Sequence, residues 1–370
     1  MTNGNKNNED SVQNEIKSIV DFPDFNIYKI RTNYNKYVDV SGDPNDNFAP
    51  IVQHDGHNGN NQKFLIYTLD NGYSVIAARH SGKVVDVRYI NFPSPFPPPI
   101  KDHLIQHDFK NGDNQKFRLA TEGTIEIQHD GQVWDVEGSG NKAQIIPYHY
   151  HGGSNQKFRL EKSGSVSIKT PNIEILPSAP DFKTDDLNEE LPDETTPVVT
   201  HVTYLPYFMV KDSYYNPLQK IQDSPYYVLV RRQFWKKITH RKLAPSEAYD
   251  YEQITGVSRT DQTSMTETTE ISIGADLGFM FKGFSLGLST SITKALSVTK
   301  STSNTESTEK KEGVFYKNPF NYQIAYARYM LINEYYVTRA NGEMITTGDA
   351  AYWRVPNPER TVSQIIPRKS

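Results

Sequence analysis

The chain has 370 residues, a net charge of −4 and no cysteine, with a pI of about 6.2. It is too long for one small domain, and without thiols it has neither disulfides nor thiolate metal sites. The lysines and arginines are scattered without forming a basic face, so nucleic acid is not an expected partner, and no run of 18 apolar residues is present to make a transmembrane helix.

The 23 Tyr and 17 Phe, together with abundant Thr, Val and Ser, predict a mostly β protein. Residues 1–22 are rich in Asn, Glu and Ser and predict a disordered tail. Their start, Met1-Thr2-Asn3-Gly4-Asn5-Lys6, has no apolar core, so no secretory signal peptide is expected. A repeat then begins. Its closing tetrad is Asn61-Gln62-Lys63-Phe64, Asn114-Gln115-Lys116-Phe117 and Asn155-Gln156-Lys157-Phe158. Upstream stand Val38-Asp39-Val40, Val85-Asp86-Val87 and Val133-Trp134-Asp135-Val136. Between them lie Gln53-His54, Gln106-His107 and Pro147-Tyr148. A period of about 40–50 residues marks one supersecondary unit reused around a common core. Three copies without a capping repeat predict a closed threefold domain over 23–165.

These copies resemble the ricin-type β-trefoil lectins. The resemblance implies that Phe64, Phe117 and Phe158 pack centrally and that each repeat carries a sugar pocket. In each pocket an Asp meets sugar hydroxyls, an aromatic ring or His faces the C–H side of the sugar, and Asn-Gln completes the polar set. Carried over, the first pocket is Asp39, His54, His57, Asn61 and Gln62. The second is Asp86, His107, Lys110, Asn114 and Gln115. The third is Asp135, Tyr148, His151, Asn155 and Gln156. The chemistry suits a pyranose, which offers hydroxyls on its edge and an apolar face. The alternative role for the Asn and Gln side chains is to tie down turns. Tyr148 makes the third pocket the strongest candidate. The Phe92–Pro99 loop (Phe-Pro-Ser-Pro-Phe-Pro-Pro-Pro) stretches the second and either covers or replaces it. His54-x-x-His57 and His149-x-His151 lack an obvious third ligand, so neither a metal nor any other cofactor is expected.

Residues 166–199 are Pro-rich and acidic, with Asp185-Asp186 and Glu189-Glu190. Proline punctuation and the lack of a Gly-centred loop predict a solvated linker rather than a calcium site. A second domain is expected over 200–356, with a tail at 357–370. Within it, Ile271, Ile273, Ala275, Leu277, Phe279 and Phe281 occupy odd positions, and Phe284, Leu286, Leu288, Ile292 and Leu296 even ones. A two-residue turn at Lys282-Gly283 would pair Phe281 with Phe284 and put both apolar sets on one face. The predicted hairpin spans 269–296, between polar arms at 263–268 and 301–306. Arms of roughly 11 alternating residues have the length of a barrel strand crossing lipid. The lipid face would be Ile271, Ile273, Leu277, Phe279, Phe281, Phe284, Leu286, Leu288 and Ile292. An ordinary amphipathic hairpin lying on a sheet has the same pattern. An isolated hairpin cannot span lipid, so the membrane reading requires several chains closing a barrel.

The blocks Tyr204-Leu205-Pro206-Tyr207-Phe208-Met209-Val210-Lys211-Asp212, Ser224-Pro225-Tyr226-Tyr227-Val228-Leu229, Gln233-Phe234-Trp235 and Ile271-Ser272-Ile273-Gly274-Ala275-Asp276-Leu277-Gly278 resemble the binary-toxin-like (Tpp, Bin-type) insecticidal proteins of spore-forming bacilli. That resemblance implies an all-β chain, a trefoil followed by an aerolysin-type pore-forming domain. It also implies a non-enzymatic protoxin, stored in a spore-associated inclusion and trimmed by proteases near Lys17 or Arg31 and near Arg360, Arg368 and Lys369. Its expected partners are galactose-type glycans on target-cell glycolipid or glycoprotein, the target membrane, further copies of itself in a pore, and a second toxin component. The competing readings are the glycan-binding module of a secreted hydrolase and the receptor-binding half of a binary pair. The C-terminal half offers neither a carboxylate pair around a cleft nor a nucleophile elbow.

Overall fold

The computed structural model describes residues 25–89, 102–346 and 350–367. The expected 1–22 tail, the Phe92–Pro99 loop, Lys17, Arg368 and Lys369 lie outside these residues. The chain divides into two compact units. One comprises 1–167 with 215–225, and the other 168–214 with 226–370.

The first unit is built mainly of strands. Its opening repeat contains β1 (Asn26–Thr32), β2 (Tyr37–Val40) and β3 (Ile51–His54). The middle part runs through β4 (Phe64–Thr68), β5 (Ser74–Ala78), β6 (Val84–Arg88) and β7 (His103–His107). The last comprises β8 (Phe117–Leu119), β9 (Ile125–Ile127), β10 (Val133–Val136), β11 (Ile145–Tyr148) and β12 (Phe158–Ser165). β1 pairs with β12, so the last strand returns to the first. The strands that carry the repeated Asp pair in hairpins: β2 with β3, β6 with β7, and β10 with β11. The period-2 alternation sends Val38, Val85 and Trp134 inward, against Phe64, Phe117 and Phe158. Trp134 stands edge-on to Phe117 at 5.2 Å and to Phe158 at 5.7 Å, a favourable geometry for aromatic quadrupoles. The aromatic of the third repeat therefore fills the threefold core.

A short helix, α1 (Pro217–Asp223), also belongs to this unit. It starts on an Asn216 capping box with Pro217 in its first turn. Gly82 (φ +72°) lies against it, and a Cβ there would come within 2.4 Å of the Pro217 carbonyl oxygen.

The second unit is built on a four-stranded antiparallel sheet. It comprises β13 (Val198–Pro206), β14 (Tyr226–Leu243), β19 (Ile324–Thr338) and β20 (Trp353–Ile366), in the order β13-β14-β19-β20. A two-stranded ribbon, β15 (Ala248–Thr255) with β18 (Lys310–Lys317), extends from it. Between the ribbon strands come α2 (Arg259–Thr268), the small hairpin β16 (Ile271–Ile273) with β17 (Phe279–Phe281), and α3 (Ser289–Leu296).

Four expectations are corrected here. First, residues 166–199 are not a solvated linker. Phe182 and Leu191 are buried against Trp235, Tyr329 and Leu331, and Trp235 Nε1 donates to the Pro177 carbonyl at 2.9 Å. Among its acids, the Glu189 carboxylate accepts the Lys183 and Thr184 amides, tying a turn. Second, 357–366 is not part of a tail but forms most of β20, and Arg360 lies within that strand. Arg31 likewise lies within β1, ion-paired to Glu161 at 3.0 Å. Third, the polar arm 263–268 is the helix α2. Its N-terminus is capped by Ser258, which accepts the Asp261 amide at 3.1 Å.

Fourth, the 269–296 segment does not turn at Lys282-Gly283. The chain reverses at 274–278, with Leu277 at φ +61° and the Gly274 amide donating to the Gly278 carbonyl at 2.8 Å. Phe281 therefore pairs with Ile271 rather than with Phe284. Residues beyond Gly283 are helical, and the sequence carried that option unread. Phe284, Leu288, Ile292 and Leu296 are spaced four apart, so the same even positions form one helical stripe. All four are buried, whereas Leu286, off the stripe, is 54% exposed.

Candidate functional sites

Each trefoil repeat builds one recess from a strand and the tight turn before its closing tetrad. In the first recess Asp39 is held inside β2. Its Oδ1 accepts the Asn61 amide (3.0 Å). Its Oδ2 accepts Gln62 Nε2 (3.0 Å) and meets His57 Nε2 (3.0 Å). The His57 Nδ1 accepts the Gly59 N–H at 3.0 Å, which leaves Nε2 as the protonated nitrogen that donates to Asp39. Gln62, fully buried, accepts the His57 amide on Oε1 (2.9 Å) and donates to the Asp55 carbonyl (2.9 Å).

The third recess repeats this. Asp135 accepts from Asn155 (2.7 Å) and meets His151 Nε2 at 3.1 Å. Gln156 bridges the His151 amide (2.9 Å) and the His149 carbonyl (2.8 Å). The turn needs glycine, because a Cβ on Gly59 or Gly153 would fall within 2.8 Å of the imidazole that follows the strand.

The second recess keeps the amides but lacks the imidazole. Asp86 accepts from Asn114 (2.9 Å) and Gln115 (2.8 Å), while Gln115 bridges the Lys110 amide (2.7 Å) and the Asp108 carbonyl (2.9 Å). Burial pushes the Asp86 carboxyl above its ordinary range, against the lowering effect of Gln115, His107, Asn114 and Lys110.

The fifteen residues of the three sets thus come together by repeat, in three different roles. The glutamines are buried staples that shape the turn. The imidazoles of His57 and His151 orient Asp39 and Asp135. What remains open to a ligand is the rim. Tyr148 is 50% exposed, edge-on to His151 at 5.8 Å. His54 and His107 turn Nδ1 toward the next carbonyl, at 3.3 and 3.0 Å, and so present Nε2 as an acceptor. The first recess is a cavity of 380 Å³ also lined by His80 and Lys142. Ligand atoms of Asp39, His54 and His57 lie within 4.8 Å of one another. The proton on His57 Nε2, fixed by the Gly59 contact, suits a hydrogen-bonded triad rather than coordination of a cation.

Reading each repeat separately misses what its neighbours supply. His80 and Lys142 reach the first recess from the other two repeats. The exposed Phe48 stands edge-on to His107 at 5.6 Å, giving the second recess an aromatic ring from the preceding repeat.

In the second unit, Ile271, Ile273, Phe279, Phe281, Phe284, Leu288 and Ile292 are all buried. Phe279 packs edge-on to Tyr335 of β19 at 5.2 Å. Of the nine candidate insertion residues only Leu277 and Leu286 reach the surface. Polar tethers hold the segment. Gln262 copies a strand edge, donating to the Ile273 carbonyl (2.6 Å) and accepting its amide (3.0 Å). The buried Arg231 donates to the Leu296 and Ser297 carbonyls, closing the end of α3 (2.5 and 2.8 Å). Asp276 accepts from Ser301 (2.6 Å) and from the Thr302 amide (2.8 Å). These bonds hold its carboxyl well below the usual range.

Residues 198–364 match the family described as insecticidal crystal toxin, P42. Residues 22–91 match the ricin-type β-trefoil lectin domain-like family. The chain is 24% identical over 308 residues to a binary larvicide subunit BinB of Lysinibacillus sphaericus, across 79% of this chain and 69% of that protein. It is 24% identical over 307 residues to a subunit BinA of the same organism, across 78% and 77%. The crystal structure of Cry35Ab1 shares the fold with a TM-score of 0.75 over 93% of this chain and 90% of that one, at 18% identity.

Proposed function

From the premise that the chain is a Bin-type insecticidal toxin with a ricin-type trefoil domain, we propose that the trefoil docks on cell-surface glycans and that the 270–298 segment later enters the membrane. The observation that carries the first half is the thrice-repeated buried Asp, fixed by amide staples beneath an open rim. A fixed carboxylate and a nearby ring are what a sugar edge and face require. Three weak recesses on one rigid domain gain avidity on a glycan-covered surface. Galactose-type sugars on glycolipid or glycoprotein remain the expected ligands, from the lectin resemblance.

The second half rests on the buried apolar set between 271 and 292. A stripe of this size is kept from water in the soluble fold, and strands that span lipid must close a barrel, which calls for several copies. Protease trimming, storage in an inclusion and a second toxin component belong to the same reading. The subunit names of the larvicide relatives favour the last of these.

Glycan-array binding by the full chain and by Tyr148→Ala tests the docking step. Tyr148 is exposed and packs into no core, so its loss should leave the fold intact and weaken array binding by about fivefold or more. Undiminished array binding by Tyr148→Ala, together with Phe48→Ala and His54→Ala, would remove the rim from the mechanism.

A further inference from the structure

We propose that the first trefoil recess selects a pyranose carrying a carboxylate, with Lys142 as the residue that reads the acid group. This rests on the glycan-docking reading and names the sugar class for one of its recesses.

Lys142 comes from the third repeat, which stands before the first in the closed ring. The Gln53 amide donates to the Ala143 carbonyl and the Gln106 amide to the Ala49 carbonyl, both at 2.9 Å. Lys142 and Phe48, each one residue earlier, therefore hold the same place in successive repeats. At the second recess that place brings Phe48 edge-on to His107 on the rim. At the first it brings Lys142 to the cavity that His54 and His57 also line. The threefold packing, rather than the reach of a surface side chain, aims this residue at the recess.

The floor of the recess is already satisfied. Asp39 takes Asn61 on one oxygen and Gln62 and His57 on the other. A ligand must then be held from the rim, where Lys142 offers an ammonium and His54 an acceptor on Nε2. Lys142 has no ion pair among the described residues, whereas Lys29 donates to the His57 carbonyl (2.6 Å) and Lys36 pairs with Asp55 (2.5 Å). It is the lone lysine or arginine on this lining, and burial disfavours the charged form of His80 beside it. An ammonium only donates, and the imidazole nitrogen only accepts. A uronic acid satisfies both with one ring, its carboxylate toward Lys142 and a hydroxyl toward His54. A neutral sugar can use the same two groups but gains no charge pairing.

Histidine imidazole NMR of the full-length protein tests the choice at this recess. The probes are the methyl β-glycosides of galactose and of galacturonic acid, which differ only at C6. The His54 and His57 resonances should report the acid binding about threefold to fivefold tighter than the neutral sugar at low salt, the range of an exposed ion pair. The difference should shrink at high salt. The uronamide, isosteric with the acid but uncharged, should bind like the galactoside. Lys142→Asn removes the charge, and Asn adopts the φ of +64° held by Lys142 with less strain. That variant should melt no lower than the parent and lose the preference for the acid, whereas Lys142→Arg should keep it. Equal binding of acid and galactoside by the parent, or a preference that persists in Lys142→Asn, overturns the proposal and leaves glycan docking standing. Silent His54 and His57 resonances with glycan-array binding retained also overturn it alone. Silent resonances with no array binding overturn both readings.

Discussion

The trefoil turns and the 270–298 segment are both held by polar side chains, but over different distances in the chain. Gln62 reaches five residues back to the His57 amide and seven back to the Asp55 carbonyl, and Gln156 does the same to His151 and His149. Such bonds form within one loop and survive motion elsewhere. In the second unit, Arg231 lies 65 residues from the Leu296 carbonyl it holds, and Asp276 lies 26 from Thr302. These bonds are lost together if the segment leaves the sheet. Local staples make a rigid recess, and long-range tethers make a segment that can be released as a unit.

The largest effect is expected at Leu286, which separates the two states of that segment. It is already exposed in this fold, so Leu286→Arg should leave solubility and melting unchanged. On the lipid face of a barrel a central arginine costs roughly 2–4 kcal/mol per chain, repeated around the ring, so vesicle dye release should fall to background. Ala295→Arg, exposed here and on the opposite parity, should keep releasing dye with altered ion selectivity. Equal release by both variants would mean that the segment does not enter lipid in this register.

Next in size is a covalent lock. The chain has no cysteine, so Asp276→Cys with Thr302→Cys introduces a single pair where side chain and backbone already touch. The oxidised form should be inactive in dye release, and reductant should restore it. Activity in the oxidised form would show that this tether need not open.

In the trefoil, Gln156→Ala strands a loop amide and a carbonyl and should cost about 1–3 kcal/mol in chemical denaturation of that unit. The same change at an exposed glutamine would be nearly silent. A loss below 0.5 kcal/mol by this rough scale would mean that water replaces the staple.

The smallest effect concerns pH. The folded-state carboxyl of Asp276 lies below its unfolded value of 3.8. Its contribution is therefore complete above about pH 4 and fades as pH falls through the lower folded value. Proteolysis within 270–302 should increase below pH 4 in the parent. Asp276→Asn should be cut more readily at neutral pH and show a flatter profile. Identical profiles would assign the acid response to other carboxylates.

The tethers also explain what could be read in advance. The repeated Asp and the Asn-Gln tetrad lie 20 to 29 residues apart, but the same spacing pattern recurs in each repeat, so the three sets could be grouped from the sequence. Pattern did not divide their labour. Only burial shows that Gln62, Gln115 and Gln156 face inward, and only the packing of neighbouring repeats brings Phe48, His80 and Lys142 to the rims. The acidic stretch read as linker because its apolar residues are sparse. Phe182 and Leu191 become core only because the sheet offers Trp235 and Tyr329 to receive them.

The sequence by itself determined the β character, the threefold repeat and the recurrence of the three carboxylates, because period-2 alternation and a repeated motif are written in the chain itself. The conformation of 284–296 was decided by tertiary structure. Phe284, Leu288, Ile292 and Leu296 satisfy a strand at spacing two and a helix at spacing four. Burial against the second unit, with Arg231 closing the last turn, selects the helix in this fold.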